Sequence, residues 1–520
     1  MLDDQIMMKR IMIKLFLIGS CLIAFTSCYK DQGNYDYALL TDFHVDTASI
    51  NRVLVISQFS SPSIDPHLIF AGDKNKLAYV WRVYGRNTGV SLESIPDTLC
   101  RTEHFSGTFT PPPGNYWLEF SACEPETGRT IFSQYRLTIE SANGMGLIVL
   151  YERNGSMDCD LIKTRAMVGS YSEDAVLRNI LSQANPNRIP PGKPVGIGMY
   201  SYSTAKYLTL LTDEDAVRLS PLDMAITNPF DELFYDAPSV ARPHSYYVLV
   251  SGLMEVMINN GRFYVSTPYA TPDDPRLAGA IIGDYYATPY VCRSAIGFFC
   301  YDQKNLRFLY TGNAGPEMEV LAAPVGLFDF NNIGKEMIYM APGFGDRINP
   351  SGSGVIAYAF FKDLVDNGKR YVYVMDITQN NQNLAATKAL LDISACPEIT
   401  EANLFTLGTR GPILFYAANN NIYQIQYELS LNSVIDTRVV WPNIPSGEKI
   451  TCLELSDHAG INLAESALNK YLFVATYNES TGEGKVYILV VNVTTGTCEP
   501  EPYAVYSQFG RVKDIMFKFE

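Results

Sequence analysis

Four tyrosines in one Pro-rich stretch are the residues best suited to handle a ligand. Pro268-Tyr269-Ala-Thr-Pro-Asp-Asp-Pro275 runs on to Gly283-Asp284-Tyr285-Tyr286-Ala-Thr-Pro289-Tyr290. Long loops on rigid scaffolds often carry binding groups, and a tyrosine face can stack on a sugar or pack on a peptide. Tyr269, Tyr285, Tyr286 and Tyr290 therefore form the candidate ligand-binding loop. The competing reading is a connection whose aromatics seal the side of the fold. Catalytic groups are harder to find. The five histidines, at 44, 67, 104, 244 and 458, include no pair at metal-ligand spacing. No His-Glu-x-x-His, Gly-x-Ser-x-Gly, Walker or dinucleotide motif occurs. Asp158-x-Asp160, Asp213-Glu-Asp215 and Asp273-Asp274 offer oxygen to calcium but lack the Asp-x-Asn/Asp-x-Asn/Asp-Gly loop. Gly196-Ile-Gly198 and Gly343-Phe-Gly345 read as turns or close-packed strand ends. No catalytic residue, metal or cofactor is assigned. Carboxylates dispersed along the chain, as in a glycosidase, would leave no local signature.

The other chemistry is covalent. Lys9, Arg10 and Lys14 flank an apolar run, Ile11 to Phe25, that ends in Thr26-Ser27-Cys28. A basic segment, a short apolar core and small residues at the cut make a secretory signal. The run is shorter than the roughly 20 apolar residues a membrane span needs. A cysteine at the cut resembles a bacterial lipobox, which implies that Cys28 becomes the lipid-modified first residue of the mature protein. An ordinary secreted protein with an incidental Cys28 is the alternative. Multiple acyl chains, at about 0.8 kcal/mol per buried methylene, would anchor the protein without any transmembrane helix.

Composition narrows the classes. The 520 residues are 47% hydrophobic and 18% charged, as expected of packed globular domains rather than extended disorder. Formal net charge is -15; residues 1–27 carry three basic and two acidic groups, a net +1, so the remainder carries -16. A nucleic-acid binder needs a basic face, and no Lys/Arg cluster supplies one. Eight cysteines remain beyond Cys28, with no Cys-x-x-Cys. Export permits disulfides, and Cys292 with Cys300 and Cys100 with Cys123 are the pairs to test, against the alternative of buried thiols. Thirty-four Tyr and 26 Phe against 3 Trp favour a β-rich chain, since aromatics fit pleated, half-buried surfaces.

Strand signals run throughout. Leu77 to Gly85 alternates, with Tyr79 and Trp81 on one face. Thr108 to Ser121 reads as a Pro/Gly turn feeding a strand, and Phe132 to Ile139 as the next strand. Beyond a hinge at Ser141 to Gly146, Leu147 to Ile162 holds an Asn-Gly turn between two strands. Comparable hairpins follow at 207–219, 246–265, 296–310, 354–375, 413–427 and 470–491. Together they make about seven units of roughly 50 residues, the period of β-propeller blades. Asp174 to Gln183 and Leu384 to Leu391 are expected as short helices between units. The expected organisation is a signal peptide at 1–27, a tether at 28–40, a first domain at 41–140 and a β-propeller at 146–520.

The string Cys28-Tyr-Lys-Asp-Gln-Gly-Asn-Tyr-Asp-Tyr37, with Tyr79-x-Trp81 and Pro113-Gly114-x-Tyr116, resembles the PKD-like lipoprotein family of Bacteroidetes. The resemblance implies an all-β protein: a PKD/immunoglobulin-like β-sandwich followed by the propeller. Lys30-Asp31 resembles that phylum's signal for export to the outer face of the outer membrane. It further implies a non-catalytic accessory component of a SusC/SusD-type TonB-dependent nutrient importer, partnered by that transporter and other surface lipoproteins. Cargo would be oligopeptide or glycan, with the scarcity of tryptophan favouring peptide. The alternatives are a propeller hydrolase or lyase acting on polysaccharide, and a surface adhesion protein.

Overall fold

Residues bearing alternating apolar side chains, punctuated by Gly, Asn and Pro, pair into antiparallel ladders along nearly the whole chain. A computed structural model describes residues 42–519 apart from 49–50, 59, 86–96, 112–113, 141–142, 172, 203–204, 249–253, 269, 294–296, 313–314, 322–325, 346–354, 379–385, 442 and 458–466; before 42 it describes Met7, Met8 and Met12. The fold is all-β, with nine sheets among the described residues. The chain divides into two compact units. The first holds residues up to 54, 61–107 and 115–137; the second holds 55–60, 108–114 and everything from 138 onward.

One five-stranded sheet is ordered Val53–Ser57, Arg129–Glu140, Gly114–Glu124, Ala78–Gly85, Asp97–Cys100, and a two-stranded ladder pairs Phe43–Val45 with Leu68–Phe70. Trp81 is fully buried, as the alternation predicts. Its ring meets Phe120 at 4.9 Å, Phe105 at 5.6 Å and Tyr135 at 5.9 Å, and its Nε1 donates to the carbonyl of Thr102 at 3.1 Å. A buried indole needs that bond.

The second unit holds seven sheets, here numbered I to VII in chain order. Sheet I takes Ala175–Leu177, Ser156–Lys163 and Gly146–Arg153, and is completed by the last strand of the sequence, Arg511–Lys518. Sheets II to VII begin at Pro194–Tyr202, Pro243–Val248, Ala287–Arg293, Lys335–Pro342, Leu404–Leu407 and Glu448–Leu455, and each continues as an antiparallel meander. The first strand of each sheet packs on the first strand of the next, and Glu448–Leu455 and Pro194–Tyr202 both pack on Arg511–Lys518. The series therefore closes on itself.

Strand periodicity explains the core. Leu147 and Val149 face sheet VII and join Phe473 and Ile488, whereas Ile148 and Leu150 face sheet II and join Leu208 and Leu210. With both faces covered, a strand reads as an unbroken apolar run. Every pair of consecutive sheets shares such a cluster. The expected hairpins are present, and three turn on left-handed pairs: Asn154-Gly155, Asn260-Gly261 and Asn419-Asn420. Two-residue hairpins need φ above zero at both positions, which Asn and Gly tolerate best.

Two expectations are corrected. Residues 386–392 form a strand, Ala386–Asp392, because pairing with Arg370–Asp376 buries Ala389 and Leu391 against sheet VI. Of 174–183, Ala175–Leu177 is a strand and only Ile180–Ala184 is helical. Among the described residues no helix is long and apolar enough to cross a membrane. The eight described cysteines are free thiols. Cys292 lies in the cluster between sheets IV and V and Cys300 in that between III and IV, so their side chains occupy opposite faces. Cys100 and Cys123 flank Ala78–Gly85 opposite Trp81 and Ala78, three rows apart.

Candidate functional site

Six of the seven innermost strands slip register part-way along. The slips fall at Pro194/Gly196, Pro243/Ser245, Ala287/Val291, Met337/Tyr339, Ile450/Cys452 and Val512/Asp514. A bulge bends one strand and re-aims its side chains. Each slip borders a single cavity of about 560 Å³, to which sheet VI contributes Leu404 and Phe405, so all seven sheets meet there. That volume lies within the roughly 300–1,000 Å³ usual for small-molecule sites.

Its largely aliphatic wall also carries aromatic and acidic groups. Tyr339 stands edge-on to Tyr290 at 5.4 Å and stacks over Phe405 at 5.8 Å. Tyr247 donates to the carbonyl of Pro289 at 3.2 Å. Three carboxylates, Glu454, Asp457 and Asp514, line the cavity against one lysine, Lys513, among the described residues. Asp514 accepts the backbone N–H of Ile197 at 2.9 Å, which ties sheet I to sheet II. Burial nevertheless leaves its carboxyl above the usual range, despite the N–H groups of Ile197 and Ile515. Burial, then the charges of Asp514 and Asp457, push the Glu454 carboxyl well above that range. Both side chains are half-buried and line the cavity. The Glu454 carboxylate and the phenols of Tyr290 and Tyr339 make no hydrogen bond to a described residue. All three are half-buried and line the cavity, so their polar oxygens are available to what enters it.

The predicted tyrosines divide. Tyr290 lies on Ala287–Arg293 and lines the cavity. Tyr286 is 41% exposed, with its ring 6.0 Å from that of His244. Tyr285 is a correction: it is buried, donates to the carbonyl of Ile281 at 2.9 Å and sits beneath the Arg262 guanidinium, so it seals the fold. Burial pushes its phenol up to about 12. Tyr269, Cys28, Lys30 and Asp31 lie outside the described residues. Asp158 and Asp160 are not free for calcium: Asp158 accepts the N–H of Ser182, and Asp160 binds Arg178, Tyr151 and the N–H of Asn179. Among the described residues no group of acidic, His or Cys side chains is arranged to hold a metal.

A larger cleft, about 960 Å³, opens beside sheets II and III, but its two arginines are already spent. Arg276 pairs with Asp274 at 2.7 Å. Arg218 pairs with the fully buried Glu255 at 2.7 Å, donates to the carbonyl of Pro275 and lies over the Tyr207 ring. Glu255 also accepts the hydroxyl of Tyr246, a cavity residue, so this network holds one wall of the 560 Å³ cavity. Glu255→Leu strands Arg218 and is expected to lower unfolding free energy by about 3–5 kcal/mol, whereas adding Arg218→Met should recover most of it. Urea denaturation of the two variants reads both values.

Residues 28–194 match the model of the PKD-like family. The match begins at Cys28 and runs through the first unit into the first strand of sheet II. No curated protein matches the chain. A quinonprotein alcohol dehydrogenase-like protein from Bacteroides thetaiotaomicron is 11% identical over 92% of this chain and 100% of its own, with a TM-score of 0.44. Hsv2 of Kluyveromyces lactis is 7% identical over 70% and 99%, with a TM-score of 0.38. A putative 6-phosphogluconolactonase from Bacteroides uniformis is 12% identical over 82% and 99%, at 0.34. Likenesses this distant carry no functional argument.

Sequence reasoning found Tyr290 but missed Glu454, Asp514 and Tyr339. One signal was available: a single acid inside the apolar run Cys452-Leu453-Glu454-Leu455.

Proposed function

We propose that the chain is a lipid-anchored protein of the outer-membrane surface that captures nutrient for a SusC/SusD-type importer, without catalysing a reaction. In this reading the first unit is a PKD/immunoglobulin-like sandwich and the second a seven-bladed β-propeller whose axial cavity is the capture site. The observation that carries it is that cavity, walled by all seven sheets and lined by Glu454, Tyr290 and Tyr339, whose polar oxygens make no hydrogen bond to a described residue. The cyclic packing of the innermost strands supports the propeller, and the family match starting at Cys28 supports the lipidated start. Export and anchoring come from the signal, Cys28 and Lys30-Asp31.

Affinity purification of the tagged protein from solubilised outer membranes tests the reading. A TonB-dependent barrel and its surface lid are expected to co-purify, and a fatty-acid probe is expected to label the wild type but not Cys28→Ala. A protein that emerges alone and unlabelled refutes it. One observation favours a second reading, a polysaccharide hydrolase or lyase: Glu454 and Asp514 both face the cavity with raised carboxyls, as a general acid does. Turnover of a polymer panel that disappears in Glu454→Gln would select it.

A further inference from the structure

Resting on the capture reading, we propose that the axial cavity takes an organic ammonium group on an apolar body, of which a free peptide N-terminus is the natural case. Charge is the first argument. Glu454, Asp457 and Asp514 outnumber the lone Lys513, which disfavours an anion there.

The second argument is independent of charge count. Glu454 is half-buried in the cavity wall yet makes no hydrogen bond or ion pair to a described residue. A partly buried carboxylate without a protein partner is disfavoured, so Glu454 can accept a donor brought into the cavity. Asp514, by contrast, is held in place by the Ile197 amide. One carboxylate is thus fixed and the other open to an incoming donor. An ammonium carries three donors and no acceptor, which suits Glu454 together with the unshared oxygens of Tyr290 and Tyr339.

The third argument is the wall. The Tyr247, Tyr290 and Tyr339 side chains surround the same space, and electron-rich ring faces attract cations. Phe405 and Leu404 supply the apolar side for the ligand's body. A bare metal ion fits poorly, since calcium takes six to eight oxygens and no metal-holding group is present among the described residues. No tryptophan lines the cavity to stack a sugar.

The test is calorimetric titration of the full-length protein in detergent with matched probes: phenethylammonium against 2-phenylethanol, and Phe-Gly-Gly against its N-acetyl form. The free amines are expected to bind about tenfold tighter or more than their neutral counterparts. Glu454→Gln is expected to abolish that preference, and Tyr339→Phe to reduce it. Equal binding of charged and neutral probes, or a preference unaffected by Glu454→Gln, overturns the inference while leaving capture in the cavity intact. Absence of binding by every probe overturns it as well. Co-purification of the importer judges the broader reading separately.

Discussion

Glu454→Gln is expected to make the protein more stable, and increasingly so as pH rises. The wild-type carboxyl titrates above its ordinary value because burial, then Asp514 and Asp457, oppose its charge. A carboxyl that holds its proton more tightly when folded lowers stability as pH climbs from the unfolded pKa through the folded one. The penalty is absent below the unfolded value, near 4.5, and complete above the folded value. Glutamine keeps the shape and never ionises, so its advantage should grow over the same interval. On the scale of an unmet buried polar group it should reach on the order of 1–3 kcal/mol. Thermal melts of both proteins from pH 4 to pH 9 measure it. Coincident melting temperatures across that range, or a variant less stable at high pH, would contradict the placement of Glu454. A residue whose removal stabilises the fold is kept for another purpose, which is why this melt bears on ligand capture.

Removing residues 511–520 is expected to unfold the second unit rather than trim it. Arg511–Lys518 is the innermost strand of sheet I, paired along its length with Gly146–Arg153. Its Val512, Ile515 and Phe517 are buried in the cluster shared with sheet VII. Burying side chains of that size is worth roughly 1.5–3 kcal/mol each, so the apolar loss alone is about 5–9 kcal/mol. Lost with it are the Asp514 bond to Ile197 and that of the Lys518 ammonium to the carbonyl of Gly144. Domains are stable by only about 5–15 kcal/mol in total, so little would remain. Circular dichroism and limited proteolysis should show lost cooperativity and rapid cleavage after 138. A truncated chain melting within a few degrees of the intact one would mean that closure is dispensable.

Much of this architecture was legible because its signals are local. Asn154-Gly155 and Asn260-Gly261 announce their hairpins, since few other residues tolerate those backbone angles. Trp81 announces the first unit's core through alternation alone. What escaped is what depends on distant partners. Ala386–Asp392 has the composition of a helix and becomes a strand because Arg370–Asp376 lies beside it. Tyr285 and Tyr290 look equivalent in sequence, yet one lies under Arg262 and the other on an innermost strand. Glu454 and Asp514 are two acids among 55, sixty residues apart, and only closure of the sheet series brings them to one cavity. The register slips that shape its wall add one residue to a strand and leave no pattern a periodicity search detects.

The strand that completes sheet I has a consequence for biogenesis. Lys518 contacts Gly144 across 374 residues, so sheet I waits for a segment made much later than its first strands. Until that later segment is available, Gly146–Arg153 presents an unpaired edge of the kind that invites association with other chains. Contacts so remote in sequence also slow folding. Chaperones would therefore have to shield the nascent chain for longer than one of this size built from local repeats alone would need.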